Sequence, residues 1–279
     1  MDIRPLEFRG QPALQASLDD GSTVVVALHG AHVLSWITAD GIERLYLSPD
    51  AVFDGEAAIR GGIPVCCPQF NQRGALPKHG FMRNVPWRLV DSDNHDTLTL
   101  RLEDSAATLA LWPHAFEATL AVSPLPRGLR TALTLRNTGT APFSFTAALH
   151  TYLRVDDIAD VRLEGLQGAA RWDAVRDVRQ TEETPALAFS AEFDSVYAAP
   201  AHPLRLTDVA PRGTLQIAQS PSCTETVVWN PGAALSAKLA DMPDDGYRHM
   251  LCVEAAHIDA AVLLAAGAEW QGWQQLNVL

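Results

Sequence analysis

Two side chains carry the types needed for proton transfer. His150 lies in AALHTYL and Glu254 in MLCVEAA, each between apolar residues. A histidine and a carboxylate are what a general acid and a general base require. Either residue also has a plainer reading. A lone histidine in a strand is more often a satisfied core residue. A glutamate is almost never fully buried without a partner, so Glu254 calls for an ion pair, an edge position or a cleft. In a cleft, desolvation would raise its pKa toward the range useful for proton transfer. The two positions lie far apart in the chain, so spacing alone does not join them.

A second group is basic. Residues 57–90 contain no Asp or Glu but hold Arg60, Arg73, Lys78, Arg83 and Arg88, in a chain with 33 acids and 21 bases. The inversion coincides with Gly- and Pro-rich segments, RGGIPVCCPQF (60–70) and NQRGALPKHGF (71–81). Irregular loops on a rigid scaffold are where binding groups concentrate. Arginine suits phosphate through its planar fork. One reading is an anion pocket for a small phosphorylated ligand, and the other is a set of solvated loop charges. Asp194, in FDSVYAAP, fits either a turn cap or a contact to sugar hydroxyls. Trp229, Trp270 and Trp273 could stack on a sugar, although Trp in such a fold is usually core. His29 and His32, three apart in a strand-like run, are expected on opposite faces, which disfavours a shared metal.

These groups must be held by strands. Period-two alternation marks 22–36, 97–103, 118–123, 129–137 and 143–155, then 161–166, 204–209, 214–219, 224–231 and 250–256. RNTGTAP (136–142) is a turn signal. Short turns are expected at 156–160 and 256–262, and no long capped helix is visible. The 279 residues, 47% hydrophobic, suffice for a large core. The pattern predicts an all-β chain, one large antiparallel β-sandwich domain over residues 1–279.

Composition narrows the function classes. A net charge of −12 disfavours nucleic acid and anionic membrane as partners. No apolar run is long enough for a membrane span, and MDIRPLEFRG lacks a signal-peptide core. Cys66, Cys67, Cys223 and Cys252 show no zinc spacing and read as reduced thiols, so a cytoplasmic protein is expected. No phosphate loop, dinucleotide fingerprint, HExxH or GxSxG occurs.

Taken together, IRGGIPVCCPQF (59–70), LPKHGFMRNVPWRL (76–89), ALHTYLRV (148–155), FDSVYAAP (193–200) and YRHMLCVEAA (247–256) resemble the hexose-6-phosphate mutarotases. These are the glucose-6-phosphate 1-epimerases of the aldose 1-epimerase superfamily. The likeness runs in order over essentially the whole chain. It implies a galactose-mutarotase-like β-sandwich, with His150 as general acid and Glu254 as general base. It implies Arg60, Arg83 and Asp194 as substrate contacts and His79 as a sugar-pocket residue. Lys78 stands where the family often has Gln, which exchanges an acceptor for a charge. The implied ligand is a hexose phosphate, met by a monomer with no cofactor and no metal. Two rivals remain: an epimerase of unphosphorylated aldoses, and a non-catalytic sugar-phosphate binder.

Overall fold

A computed structural model describes residues 1–90 and 96–279. Its strands form antiparallel sheets of four, eight and nine strands. The four-stranded sheet takes the first strands in order, Asp2–Phe8, Gln11–Ser17, Thr23–Ala27 and Val33–Ile37. The other two carry the rest of the chain, and one cluster of buried side chains draws on all three, from Leu14 to Leu276. The alternation is physical: Leu98, Leu100 and Leu102 enter this core while Thr99 and Arg101 turn away. The all-β expectation holds. Two short α-helices, Ala106–Leu111 and Gly232–Ser236, escaped the sequence reading. The first is closed by a capping box between Ser105 and Thr108. Among the described residues no helix is long and apolar enough to cross a membrane.

The eight-stranded sheet positions the chemistry. Its central strands are Phe193–Ala198, Glu225–Asn230, Met250–Leu264 and Phe143–Leu149, with Val65–Cys66 at the edge. Along Met250–Leu264, Leu251 and Val253 face the main core. Cys252 and Glu254, two apart, face the other side. Register then builds rows across the sheet. Asp194 pairs with Trp229, Trp229 with Cys252, and Cys252 with Tyr152. The next row places Val196 beside Val227 and Val227 beside Glu254. Directly paired residues share a face.

Three expectations change here. Residues 143–155 are not one strand but two, Phe143–Leu149 and Tyr152–Arg154, and His150 sits at the break. Its amide donates to the Pro64 carbonyl, and Thr151 N–H turns back to the Leu149 carbonyl. Residues 22–36 also divide, because Gly30 and Ala31 take positive φ. His29 and His32 therefore lie in the turn between strands, not on opposite faces of one strand. In the C-terminal half, 256–262 continues the strand Met250–Leu264 without a turn.

Candidate active site

A cavity of about 210 Å³ opens on this face of the sheet. Its walls include Arg60, Lys78, His79, His150, Asp194 and Glu254. His150 and Glu254 meet at its wall. His150 Nε2 stands 3.4 Å from Glu254 Oε1. Both are buried, Glu254 to 1% exposure. Glu254 Oε2 and His150 Nδ1 make no hydrogen bond within the protein.

Burial pushes the Glu254 carboxyl well above the usual carboxylate range, and Asp194 adds to this against the pull of Arg83. Burial likewise pushes His150 well below the usual imidazole range, with His79, Arg83 and Arg60 adding to it. A general acid at His150 and a general base at Glu254 call for a charged imidazole beside an ionised carboxylate, and burial works against both charges. Taking two charges out of water costs more than their attraction returns. Burial therefore favours the uncharged form of each group.

Aromatic rings fix the histidine. His150 stacks on Tyr152 with centroids 4.8 Å apart and planes at 11°. Trp229 meets both rings edge-on. Tyr152 was not singled out by sequence, although it lies two residues from His150 and follows it on the same face. Trp229, weighed as a core residue, is half-buried and lines the cavity.

His79 is held by backbone geometry. It takes φ +67°, and Gly80 follows at +73°. A Cβ on Gly80 would sit 2.2 Å from the Cys67 carbonyl oxygen, so the KHG turn needs that glycine. His79 Nδ1 accepts from the Asn71 amide at 3.3 Å. Burial first, then Arg83, Lys78 and Arg60, lowers its pKa to about 3. A neutral ring whose Nδ1 accepts must carry its proton on Nε2. His79 is therefore a fixed neutral donor, its ring edge-on to His150 at 5.4 Å between centroids. Gln69 braces the same loop through the Asn71 and Leu76 carbonyls and the Leu76 amide.

The basic residues divide. Arg60 lines the cavity, but its Nε and Nη2 each reach Asp241 at 3.1 Å and its Nη1 reaches the Tyr152 hydroxyl at 3.1 Å. Lys78 lines the cavity and is exposed. Arg83, expected as a substrate contact, is not part of the wall. It donates to the Lys78 carbonyl at 3.0 Å, bracing the turn that presents Lys78 and His79. It reaches the pair only as a field. Arg73 turns to the Ile258 carbonyl and Asp259 and covers Trp172. Arg88 pairs with Glu103 at the surface. Asp194 is at the wall, and burial, then Glu192, raises its pKa. Sequence reading missed Asp241, which lies in no segment that stood out, and passed over Glu192, two residues before Asp194.

The aldose 1-epimerase family profile matches residues 13–277. The chain belongs to the aldose 1-epimerase family. Within that family, an Escherichia coli protein named "Putative glucose-6-phosphate 1-epimerase" is 41% identical over 239 residues, 83% of this chain and 78% of that one. The crystal structure of a "putative mutarotase" from Salmonella typhimurium superposes with a TM-score of 0.89 at 30% identity, covering 99% of this chain and 92% of that one. A galactose mutarotase related enzyme from Lactobacillus acidophilus gives a TM-score of 0.77 at 15% identity, covering 96% and 97%. That last likeness speaks to the fold alone. This aldose 1-epimerase family member has the antiparallel β-sandwich that its strand pattern predicted, of the galactose-mutarotase-like type that the resemblance implied.

Proposed function

We propose that the enzyme interconverts the α and β anomers of a hexose 6-phosphate, with glucose 6-phosphate as the substrate. The observation that carries the reaction is the buried His150–Glu254 pair, 3.4 Å apart at the cavity wall. One proton shared by this pair suffices for the whole cycle. With the proton on His150, Glu254 accepts the proton of the anomeric O1 hydroxyl while His150 gives its own to the ring oxygen. The C1–O5 bond breaks and an aldehyde forms. The pair then holds its proton on Glu254, the uncharged arrangement that burial favours. Rotation about C1–C2 presents the other carbonyl face. Glu254 returns the proton to O1, His150 takes the one on O5, and the ring closes as the other anomer. The two positions of a single proton are thus the two halves of the reaction. A positioned acid or base contributes about 10²–10⁴-fold each.

His79, Asp194 and Trp229 would hold the sugar, the first as donor and the second as acceptor. Lys78 would take the phosphate, and Arg60 would contribute what Asp241 leaves free. Arg83 enters this reading as the brace of the loop.

A second reading is an epimerase of unphosphorylated aldoses. It is favoured by the charge balance at the wall, where Asp241 neutralises Arg60 and Glu192 and Asp194 are acidic. Phosphate is favoured by Lys78 and by the names of the relatives. Anomer exchange measured by NMR on glucose 6-phosphate and on glucose separates the two. Strong acceleration of the phosphate ester alone is expected. Equal acceleration of both would remove the phosphate from the reading, and acceleration of neither would remove the reaction.

A further inference from the structure

Cys252 takes no part in this reaction scheme, yet its thiol shares the sheet face with the pair. One ligating atom from each of Cys252, His150 and Glu254 lies within 4.8 Å of the others, and all three residues are buried. The sequence spacing gave no sign of this, because the third member, His150, comes from a strand break about a hundred residues away in the chain. The pair's own distance is informative. At 3.4 Å, His150 Nε2 and Glu254 Oε1 lie beyond the 2.7–3.2 Å of an ordinary N–H···O bond. Nitrogen and oxygen ligands at about 2.0–2.2 Å from one tetrahedral zinc ion stand about 3.4 Å apart. A thiolate at about 2.3 Å from the same ion would stand about 3.6 Å from each. The 4.8 Å bound leaves Cys252 at most about 1.2 Å to close, within reach of a side-chain rotation. Glu254 Oε2 has no hydrogen-bond partner in the protein and is free to make the carboxylate bidentate.

We propose that His150, Cys252 and Glu254 form a capture site for a thiophilic divalent cation, zinc or cadmium by chemistry, which shuts the enzyme off when it binds. The ligand set of one thiolate, one imidazole and one carboxylate suits these ions. Three protein ligands leave the fourth position toward the cavity, for water or a sugar hydroxyl. On binding, the thiol loses its proton and the pair loses the one it shares, so two protons leave to solvent. The ion then occupies the lone pairs that carry the proton between substrate oxygens. Binding rests on the geometry of the triad alone. Inhibition rests also on the reaction proposed above.

The test is a cadmium titration of the reduced whole protein without competing thiols. Two readouts run in parallel, the thiolate-to-metal ultraviolet absorption and the mutarotation of glucose 6-phosphate. Absorption should rise and activity fall together at a single equivalent, and a chelator should reverse both. Cys252→Ala should retain metal-free activity, lose the absorption and bind cadmium more than about tenfold more weakly, the scale on which even outer-shell partners act. Cys223→Ala should behave as the unaltered protein. Absence of the absorption, or its persistence in Cys252→Ala, overturns the site. Should that variant not fold, saturating glucose 6-phosphate must slow the absorption rise in the unaltered protein, and no protection overturns the site. An absorption that appears in a protein without mutarotase activity leaves the metal site standing and fails the reaction instead.

Discussion

The Thr151 hydroxyl donates to the Gln274 side-chain carbonyl across 2.6 Å, and the Gln274 amide donates on to the Val253 carbonyl at 2.9 Å. One buried side chain of the nine-stranded sheet thereby ties together the neighbours of His150 and Glu254. The Val253 amide also donates to the Thr151 carbonyl at 3.1 Å, so the tie reinforces a backbone bond that holds the spacing of the pair. Gln274→Ala strands a buried hydroxyl and a buried carbonyl, a cost of about 1–3 kcal/mol. It should lower both the melting temperature and kcat while KM stays nearly constant. Thr151→Ser, which keeps the hydroxyl, should retain most of kcat. If Gln274→Ala lost stability but kept full kcat, Gln274 would be a structural residue only.

The pair itself makes a stronger demand. His150→Ala and Glu254→Gln should each reduce kcat by about 10²–10⁴-fold. Glu254→Gln fills the same volume and removes a buried titrating group, so it should fold at least as stably as the parent. The pH profile follows from the shared proton. Activity needs one proton on the pair. The acid limb appears when His150 takes a second proton, which its lowered pKa postpones to well below its ordinary 6.5. The alkaline limb appears when the last proton leaves Glu254, which its raised pKa postpones to well above its ordinary 4.5. A broad plateau through neutral pH is expected for kcat/KM, whose limbs report the free enzyme. A narrow bell centred between 4.5 and 6.5 would contradict the neutral resting pair.

Much of this was legible in the sequence. The alternation of apolar residues gave the sheets because a half-buried strand must alternate. The types of His150 and Glu254 marked them as candidates, since an ionisable residue within an apolar strand requires a reason. What joins them is strand register, and register is a long-range property that no local pattern carries. The same applies to the cations. The acid-free run over 57–90 was visible, but the partners that neutralise it, Asp241 for Arg60 and Asp259 for Arg73, come from distant segments. A local count of charge could not tell a free cation from a paired one. His150 at a strand break also escaped the pattern, because Ala147 to Leu153 are all buried and no change of face marks the break.

That division of the cations predicts opposite effects of two substitutions. Lys78 is exposed and lines the cavity, so Lys78→Gln removes a screened charge. The loss should be about 1 kcal/mol or less, a rise in KM of up to about fivefold for glucose 6-phosphate with kcat unchanged. Asp241→Asn releases the Arg60 guanidinium from its ion pair and should lower KM for the phosphate ester. Neither change should alter any activity toward glucose. Steady-state anomerisation rates for the two sugars at fixed ionic strength check this, and a KM unchanged in both variants would place the phosphate elsewhere.

Acid should destabilise the fold through its buried histidines. His32 Nε2–H donates to the Gly61 carbonyl at 2.7 Å, and burial lowers its pKa to about 4. His79 is lowered to about 3. Both start from 6.5 in an unstructured chain. Between these values the unfolded chain binds protons that the folded one refuses, so stability is full above about 6.5 and falls with decreasing pH. The His32 contribution is lost by about pH 4, and the His79 contribution continues to fall toward about 3. Each group contributes on the order of a few kcal/mol over its window. His32→Asn retains a donor for the Gly61 carbonyl and does not titrate. Its melting temperature should decline less steeply between pH 6.5 and 4 than that of the parent, by thermal denaturation followed in the near ultraviolet. Parallel curves for the two proteins would mean that His32 already accepts a proton in the folded state.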